Sequence, residues 1–169
     1  MNIIRQVASS MVKFKYMKRI INYFCIAFSI SLAETVYHIP IEGTIDLGLP
    51  PFIERSIAEA EENNAKTIIF EVNTFGGRVD AATQIKDAIL DSKVPTVAFI
   101  NKRAISAGAL ISLSCEKVFM AGGATIGATT AVDMQGNKAS EKVISYMREE
   151  MAATAEKRGR NTYLSLIHI

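Results

Sequence analysis

Short, nearly unbroken apolar runs alternate along this chain with longer segments whose apolar residues recur at helical spacing. That alternation leaves few folds open. Thr67 to Val72 (TIIFEV) and Pro95 to Ile100 (PTVAFI) have strand length. A run like TIIFEV is expected of a strand covered on both faces. Val36 to Ile41 (VYHIPI) reads as a short first strand closed by a Glu42-Gly43 turn. Pro50-Pro51 opens a helix in which Phe52, Ile53, Ile57, Ala58 and Ala60 recur between Glu54, Arg55, Glu59 and Glu61. Asn63-Asn64 ends it. Val79 to Leu90 is a second helix, with Ala81, Ala82, Ile85, Ala88 and Ile89 as its inner face. Ser106 to Ser114 reads as a small-residue helix, Lys117 to Met120 as a short strand, and Ser140 to Lys157 as a final amphipathic helix. Strands alternating with helices imply an α/β fold with a mostly parallel sheet and helical crossovers.

The two ends stand outside this pattern. Residues 1–33 are expected to be an N-terminal extension and a signal peptide. Lys18 and Arg19 precede an apolar stretch from Ile20 to Leu32, and Ser31-Leu32-Ala33 has the small residues of a cleavage site. The stretch is short for a membrane span. An uncleaved anchor is the alternative. Residues 34–161 are expected to form the single folded domain. Residues 162–169 are expected to be a tail foreign to it, because YLSLIHI has the look of a fragment-end artefact; a genuine apolar strand is the alternative.

Composition narrows the function. Hydrophobic residues make up 49% of the 169 and charged residues 21%, the balance of a globular core. The net charge is +2, with its basic cluster confined to Lys13, Lys15, Lys18 and Arg19, so nothing calls for nucleic acid. The two cysteines, Cys25 and Cys115, form no CxxC and no Cys/His cluster. No metal or organic cofactor is implied, and Cys115 is expected to be a small, buried, unreactive residue.

Two strand-to-helix junctions carry the candidate chemistry. The first is Asn73-Thr74-Phe75-Gly76-Gly77-Arg78-Val79. Ligands of open α/β sheets bind beyond the carboxyl ends of strands. A glycine pair there lets backbone N–H groups face a developing oxyanion. The second is Arg103-Ala104-Ile105-Ser106-Ala107-Gly108-Ala109, a serine between a strand and a helix. Ser106 has a nucleophile's position, and the Ala107 N–H a second oxyanion donor's. Taken singly, the glycine pair reads as a turn and Ser106 as a helix cap.

Taken together, the elements Thr74 to Gly77, Ala104 to Ala109, Thr125 to Ala128 and Gly159-Arg160-Asn161 resemble the NfeD family of membrane-bound serine proteases. That family is a branch of the Clp-protease superfamily, which is related to the crotonases. The resemblance implies a Clp-protease/crotonase-like fold and an exported, membrane-associated serine endopeptidase. Ser106 would be its nucleophile, Gly76, Gly77 and Ala107 its oxyanion donors, and Phe75, Arg78 and Val79 its substrate contacts. The implied substrate is an extended apolar peptide, the implied partner a membrane protein of the stomatin type, and the implied assembly a homodimer. Membrane attachment would come from a further C-terminal region or the uncleaved signal. The chain departs from the family's D-T-P-G-G: Asn73 stands in place of Asp and Phe75 in place of Pro. The loop after Ala128 is also short.

A serine needs a base. Only His38 and His168 exist. His38 is expected to be half-buried and structural on the first strand, and His168 lies in the foreign tail. A Ser–Lys dyad is the recognised alternative, and the family resemblance points to Lys142, at the start of the last helix. Lys138 is the runner-up. A lysine amine held against an apolar wall gives up its proton more readily and frees a lone pair for base work. Three readings stay open: a Ser106–Lys142 peptidase, a non-catalytic membrane partner or scaffold, and a crotonase-like acyl-CoA enzyme. An export signal speaks against the last.

Overall fold

A computed structural model describes residues 16–19, 34–127 and 140–162. The chain divides into two compact units, Met1–Glu34 and Thr35–Ile169. Of the first, residues 16–19 form a short exposed helical stretch, and the rest of the signal segment lies outside the described residues. Lys138, Ala128, Cys25 and His168 also lie outside them.

In the second unit the elements run β1 (Val36–Ile45), α1 (Leu49–Glu62), β2 (Thr67–Gly77), α2 (Val79–Asp91), β3 (Thr96–Ile105), α3 (Ala107–Ser114), β4 (Lys117–Met120), β5 (Thr125–Gly127) and α4 (Glu141–Lys157). The sheet order is β1-β2-β3-β4, with β5 also on β3. Every pair is parallel. This is the α/β architecture that the strand–helix alternation implies.

The strands run further than their apolar runs. β1 does not turn at Glu42-Gly43. It takes an irregularity between Glu42 and Thr44 and continues to Ile45. β2 shifts register between Val72 and Thr74, then carries the glycine pair as strand residues against Thr44 and Ile45. Such irregularities re-aim the chain. Beyond them, Thr74 pairs with Ala104 and β5 joins Arg103–Ile105. The carboxyl end of the sheet is therefore a second, offset stretch of ladder.

Among the described residues, helices close only one face of the sheet. Ile39, Ile41, Ile68, Phe70, Val72, Ala98, Ile100 and Ala104 are buried beneath the helices. On the other face Ile69, Glu71, Val97 and Phe99 are half-buried and Phe119 is 56% exposed. TIIFEV is thus not covered on both faces: the helices of the described residues pack on the inner side alone. His38 lies on that outer face, exposed rather than half-buried, and its Nε2 is 2.7 Å from Glu71 Oε2. Glu71 Oε1 accepts from Asn101 Nδ2 at 2.7 Å.

α1 starts one residue before its prolines, whose missing N–H groups cost nothing in a first turn. Its buried stripe is Pro50, Ile53, Ile57 and Ala60, while Phe52 and Ala58 face out. α3 is different. Seven of its eight residues, all but Leu113, are buried. A helix apolar on every side belongs inside a core, and its serines satisfy themselves: Ser112 Oγ donates to Gly108 O at 2.8 Å and Ser114 Oγ to Ile111 O at 2.6 Å.

Two outcomes follow from this packing. Ile85 is fully buried, so Ile85→Ala is expected to cost about 2–5 kcal/mol in urea unfolding. Burial also pushes the Cys115 thiol up to about 12. Mass spectrometry of the Cys115 peptide should find no alkylation by iodoacetamide at pH 8 in the folded protein, and rapid alkylation in urea.

Candidate active site

Ser106 stands between β3 and α3 with φ 53° and ψ −115°, a conformation rare for a residue with a side chain. Backbone held in such a region costs of order 1–3 kcal/mol and persists only where its surroundings enforce it. Here they do. The Ser106 N–H donates to Gly127 O on β5 at 2.9 Å, and Ala109 N–H returns to Ser106 O at 2.9 Å. The Thr125–Gly127 segment therefore serves as a strap that holds the serine's backbone.

The end of β2 passes directly over this elbow. Gly76 has φ 105°, and a Cβ there would sit 2.8 Å from both Ser106 Cβ and Ile105 O. A Cβ on Gly77 would run into the backbone of Ile45. Both glycines exist because backbone occupies the space a side chain would need. Thr74, buried to 1%, pins the turn: its hydroxyl donates to Gly43 O at 2.5 Å and accepts from the Gly76 N–H at 2.9 Å. The Gly76 N–H is therefore already engaged within the chain. The Ala107 N–H, in the first turn of α3, has no intrahelical acceptor, and neither has it another acceptor among the described residues. Gly108 allows Thr74 to approach, since a Cβ there would meet Thr74 Cγ2 at 2.5 Å.

The glycine pair leads into Arg78 and Val79, and these open onto a groove of about 690 Å³ lined by Arg78, Val79, Asp80, Thr83, Lys142, Val143 and Tyr146. One wall is the start of α2 and the other the start of α4. The two helices lie parallel: Thr83 Oγ1 is 3.3 Å from Tyr146 Oη, and one turn on Lys86 Nζ donates to Glu150 Oε2 at 2.6 Å. This ladder brings Lys142 beside the residues that follow the glycine pair. Arg78 is held by Asp80 through two contacts, Nε to Oδ1 at 3.0 Å and an Nη to Oδ2 at 2.6 Å. The Arg78 guanidinium, first by its hydrogen bonds and against the cost of desolvation, holds the Asp80 carboxyl below its usual range.

Lys142 is exposed and makes no hydrogen bond with Ser106. Phe75 stands apart from the groove lining, 73% exposed, with the Arg103 guanidinium 4.4 Å from its ring centre. Asp80, Thr83, Val143 and Tyr146 were not singled out from sequence. Their signal was there as shared helical faces: 79, 80 and 83 on α2, and 142, 143 and 146 on α4. Among the described residues no group of three or more His, Cys, Asp or Glu could hold a metal, and no helix is long and apolar enough to cross a membrane.

The fold is that of the ClpP-like α/β proteins. ClpP1 from Listeria monocytogenes superposes with a TM-score of 0.62 at 23% identity, covering 78% of this chain and 77% of that one, a likeness of fold alone. Within that class the chain belongs to the NfeD1b N-terminal domain family, whose model matches residues 35–167. It is 41% identical over 133 residues to membrane protein NfeD1b of Bacillus subtilis, covering 79% of this chain and 30% of that protein. It is 32% identical over 148 residues to the membrane-bound protease PH1510 of Pyrococcus horikoshii, covering 83% of this chain and 34% of that one. The chain thus spans about a third of the length of these relatives, which are membrane proteins by name. Among solved structures, a serine-to-alanine variant of the 1510-N membrane-bound stomatin-specific protease matches with a TM-score of 0.75 at 32% identity, covering 82% of this chain and 71% of that one. A lysine-to-alanine variant of the same protease, in complex with a substrate peptide, also reaches 0.75, at 31% identity over 82% of this chain and 67% of that one.

Two glycines separate steric from conformational strain. Gly43 has φ 71° with open space around its would-be Cβ, whereas Gly76 has φ 105° and is blocked. Gly43→Ala is expected to lose about 1–2 kcal/mol. Gly76→Ala should lose more than that, by the added cost of displacing the Ser106 backbone, as read from urea midpoints.

Proposed function

We propose that this domain is a serine endopeptidase in which Ser106 is the nucleophile and Lys142 the base. The observation that carries the reading is the continuity of one surface. The strained Ser106 backbone touches Gly76, the chain passes through Gly77 to Arg78 and Val79, and Lys142 lines the same groove as those two. A hydrolase of this class needs these three parts side by side: a hydroxyl, main-chain donors and a base.

In the first step the Lys142 amine takes the Ser106 proton while Oγ bonds to the peptide carbonyl carbon. The carbonyl oxygen becomes an oxyanion facing the Ala107 and Gly77 N–H groups. The C–N bond then breaks, and the leaving amine takes the proton from Lys142. The Lys142 amine then takes a proton from water as its oxygen bonds to the acyl carbon; the C–Oγ bond breaks, Oγ takes the proton back from Lys142, and the acyl group leaves as a carboxylic acid. Lys142 is exposed where it lines the groove. A peptide seated against Val79, Val143 and Tyr146 would strip water from its amine and bring it into a dry setting. The Gly76 N–H would serve as a further donor on leaving Thr74 Oγ1.

The lining, with Val79, Val143 and Tyr146, supports an extended apolar peptide as substrate, with Arg78 and Val79 as contacts in the groove and Phe75 as a contact beyond it. By analogy with the stomatin-specific relative, the natural substrate is a membrane protein of that type. The membrane-protein relatives and the expected signal segment support an exported, membrane-associated place of action for a domain spanning 34–161. A homodimer is the assembly the family resemblance implies. A second reading, a peptide-binding membrane partner without catalysis, is favoured by the missing Ser106–Lys142 hydrogen bond and the occupied Gly76 N–H.

A fluorophosphonate probe decides between the two. Ser106→Ala should abolish labelling. Lys142→Ala should slow it roughly 10²–10⁴-fold with little change in thermal stability, while Lys138→Ala keeps it. A folded protein that binds apolar peptide yet resists the probe would establish the non-catalytic partner instead.

A further inference from the structure

The Gly159-Arg160-Asn161 segment has no part in the chemistry above, yet it makes the densest set of long-range hydrogen bonds near the C-terminal ends of the helices. Gly159, at φ 65°, closes α4 with a paired motif: its N–H donates to Glu156 O at 2.9 Å and the Arg160 N–H to Ala155 O at 2.8 Å. That turn throws Arg158 and Arg160 onto the same neighbours. Arg158 Nε donates to Ser114 O at 2.6 Å, and one of its Nη atoms to Ile89 O at 3.2 Å. Arg160 donates to Leu113 O at 2.5 Å, Cys115 O at 2.7 Å and Glu116 O at 3.1 Å. Ile89 O lies in the last turn of α2 and also accepts from the Ser92 N–H at 3.4 Å, Leu113 and Ser114 end α3, and Cys115 and Glu116 follow it.

The opposite ends of these helices form the site. α2 begins two residues after the glycine pair, α3 begins at the residue after Ser106, and α4 carries Lys142 as its second residue. We propose that Arg158 is a positioning residue for the Ser106–Lys142 pair: one guanidinium at the far ends of three helices sets how their near ends meet. The proposal rests on the serine-hydrolase reading. Lys142 and Ser106 share no direct bond, so their relation is set by how α4 sits against α2 and α3. Along that contact Met147, Met151 and Ala155 are buried, but apolar packing alone tolerates sliding. A fork of fixed donors does not, because each N–H is aimed at a different carbonyl. Arg160 adds a second hold on α3 alone. Burial presses the Arg160 guanidinium below its ordinary value, and the charge of Arg158 acts, more weakly, in the same direction. Such crowding is retained where both hydrogen-bond sets are used.

The test uses the 169-residue chain, with the rate of Ser106 acylation by a fluorophosphonate resolved into KI and kinact. Arg158→Lys keeps the charge and removes the fork. It is expected to lower kinact roughly 10- to 100-fold, the scale of a small misplacement of reacting groups, and to leave KI unchanged. Arg160→Lys, with the α2 tie intact, should lose less. Ile57→Val, buried in α1 away from the clamp, serves as a variant of comparable thermal destabilisation and should keep its kinact. Wild-type kinact in Arg158→Lys overturns the proposal, and so does an equal loss in Ile57→Val, which would reduce the effect to stability. Should Arg158→Lys not fold, Arg158→Gln, which keeps a side-chain donor but not the fork, is read by the same criteria. No labelling of the unmodified protein sinks the hydrolase reading and the positioning role with it. Labelling of that protein with no change in the variants sinks the positioning role alone.

Discussion

The close passage of β2 over the Ser106 elbow is the contact around which the second unit is arranged. It is possible only because Gly76 has no side chain and adopts a φ that few other residues accept. Each neighbouring feature protects it. Thr74 buries its hydroxyl between Gly43 O and the Gly76 N–H, so neither the hydroxyl nor that N–H is left unsatisfied. Gly108 makes room for Thr74, and Gly127 O receives the Ser106 N–H. The strain at Ser106 is a few kcal/mol at most, and burial of α3 on nearly all sides offsets it.

A second layer of order comes from helix ends. α2 and α4 start at the groove and α3 at the Ser106 elbow, and their far ends converge on Arg158 and Arg160. Between those points α2 and α4 are held in parallel register by Thr83 with Tyr146 and by Lys86 with Glu150. Lys86 has a side chain only 12% exposed and two carboxylate partners, Asp87 and Glu150. A half-buried ammonium so paired is costly to strip of either partner. The groove is thus a junction whose walls are positioned from a distance, which suits a site whose reacting groups need not touch before substrate arrives.

The parts of the fold that were legible early were those with a local cause. TIIFEV and PTVAFI announced strands, Pro50-Pro51 and Asn63-Asn64 bracketed a helix, and the serine and glycine junctions stood at strand ends. What could not be read was where strands stop. Glu42-Gly43 looked like a turn and is an irregularity within β1, because pairing with β2 outweighs a local turn preference. TIIFEV looked doubly covered, yet its outer face is half-open, since apolar content does not say on which side helices will pack. His38 was assigned to a half-buried place for the same reason.

Residue chemistry and spacing by themselves determined the class of fold, the order of its elements and the small set of side chains able to do work, because those follow from period, turn preference and functional group. Which residues share a groove was decided only by tertiary structure. Val79 and Lys142 are far apart along the chain, and their meeting depends on the parallel docking of two helices. The same holds for the engaged Gly76 N–H and for the two arginines beyond α4. Long-range hydrogen bonds are made between groups that no local pattern brings together.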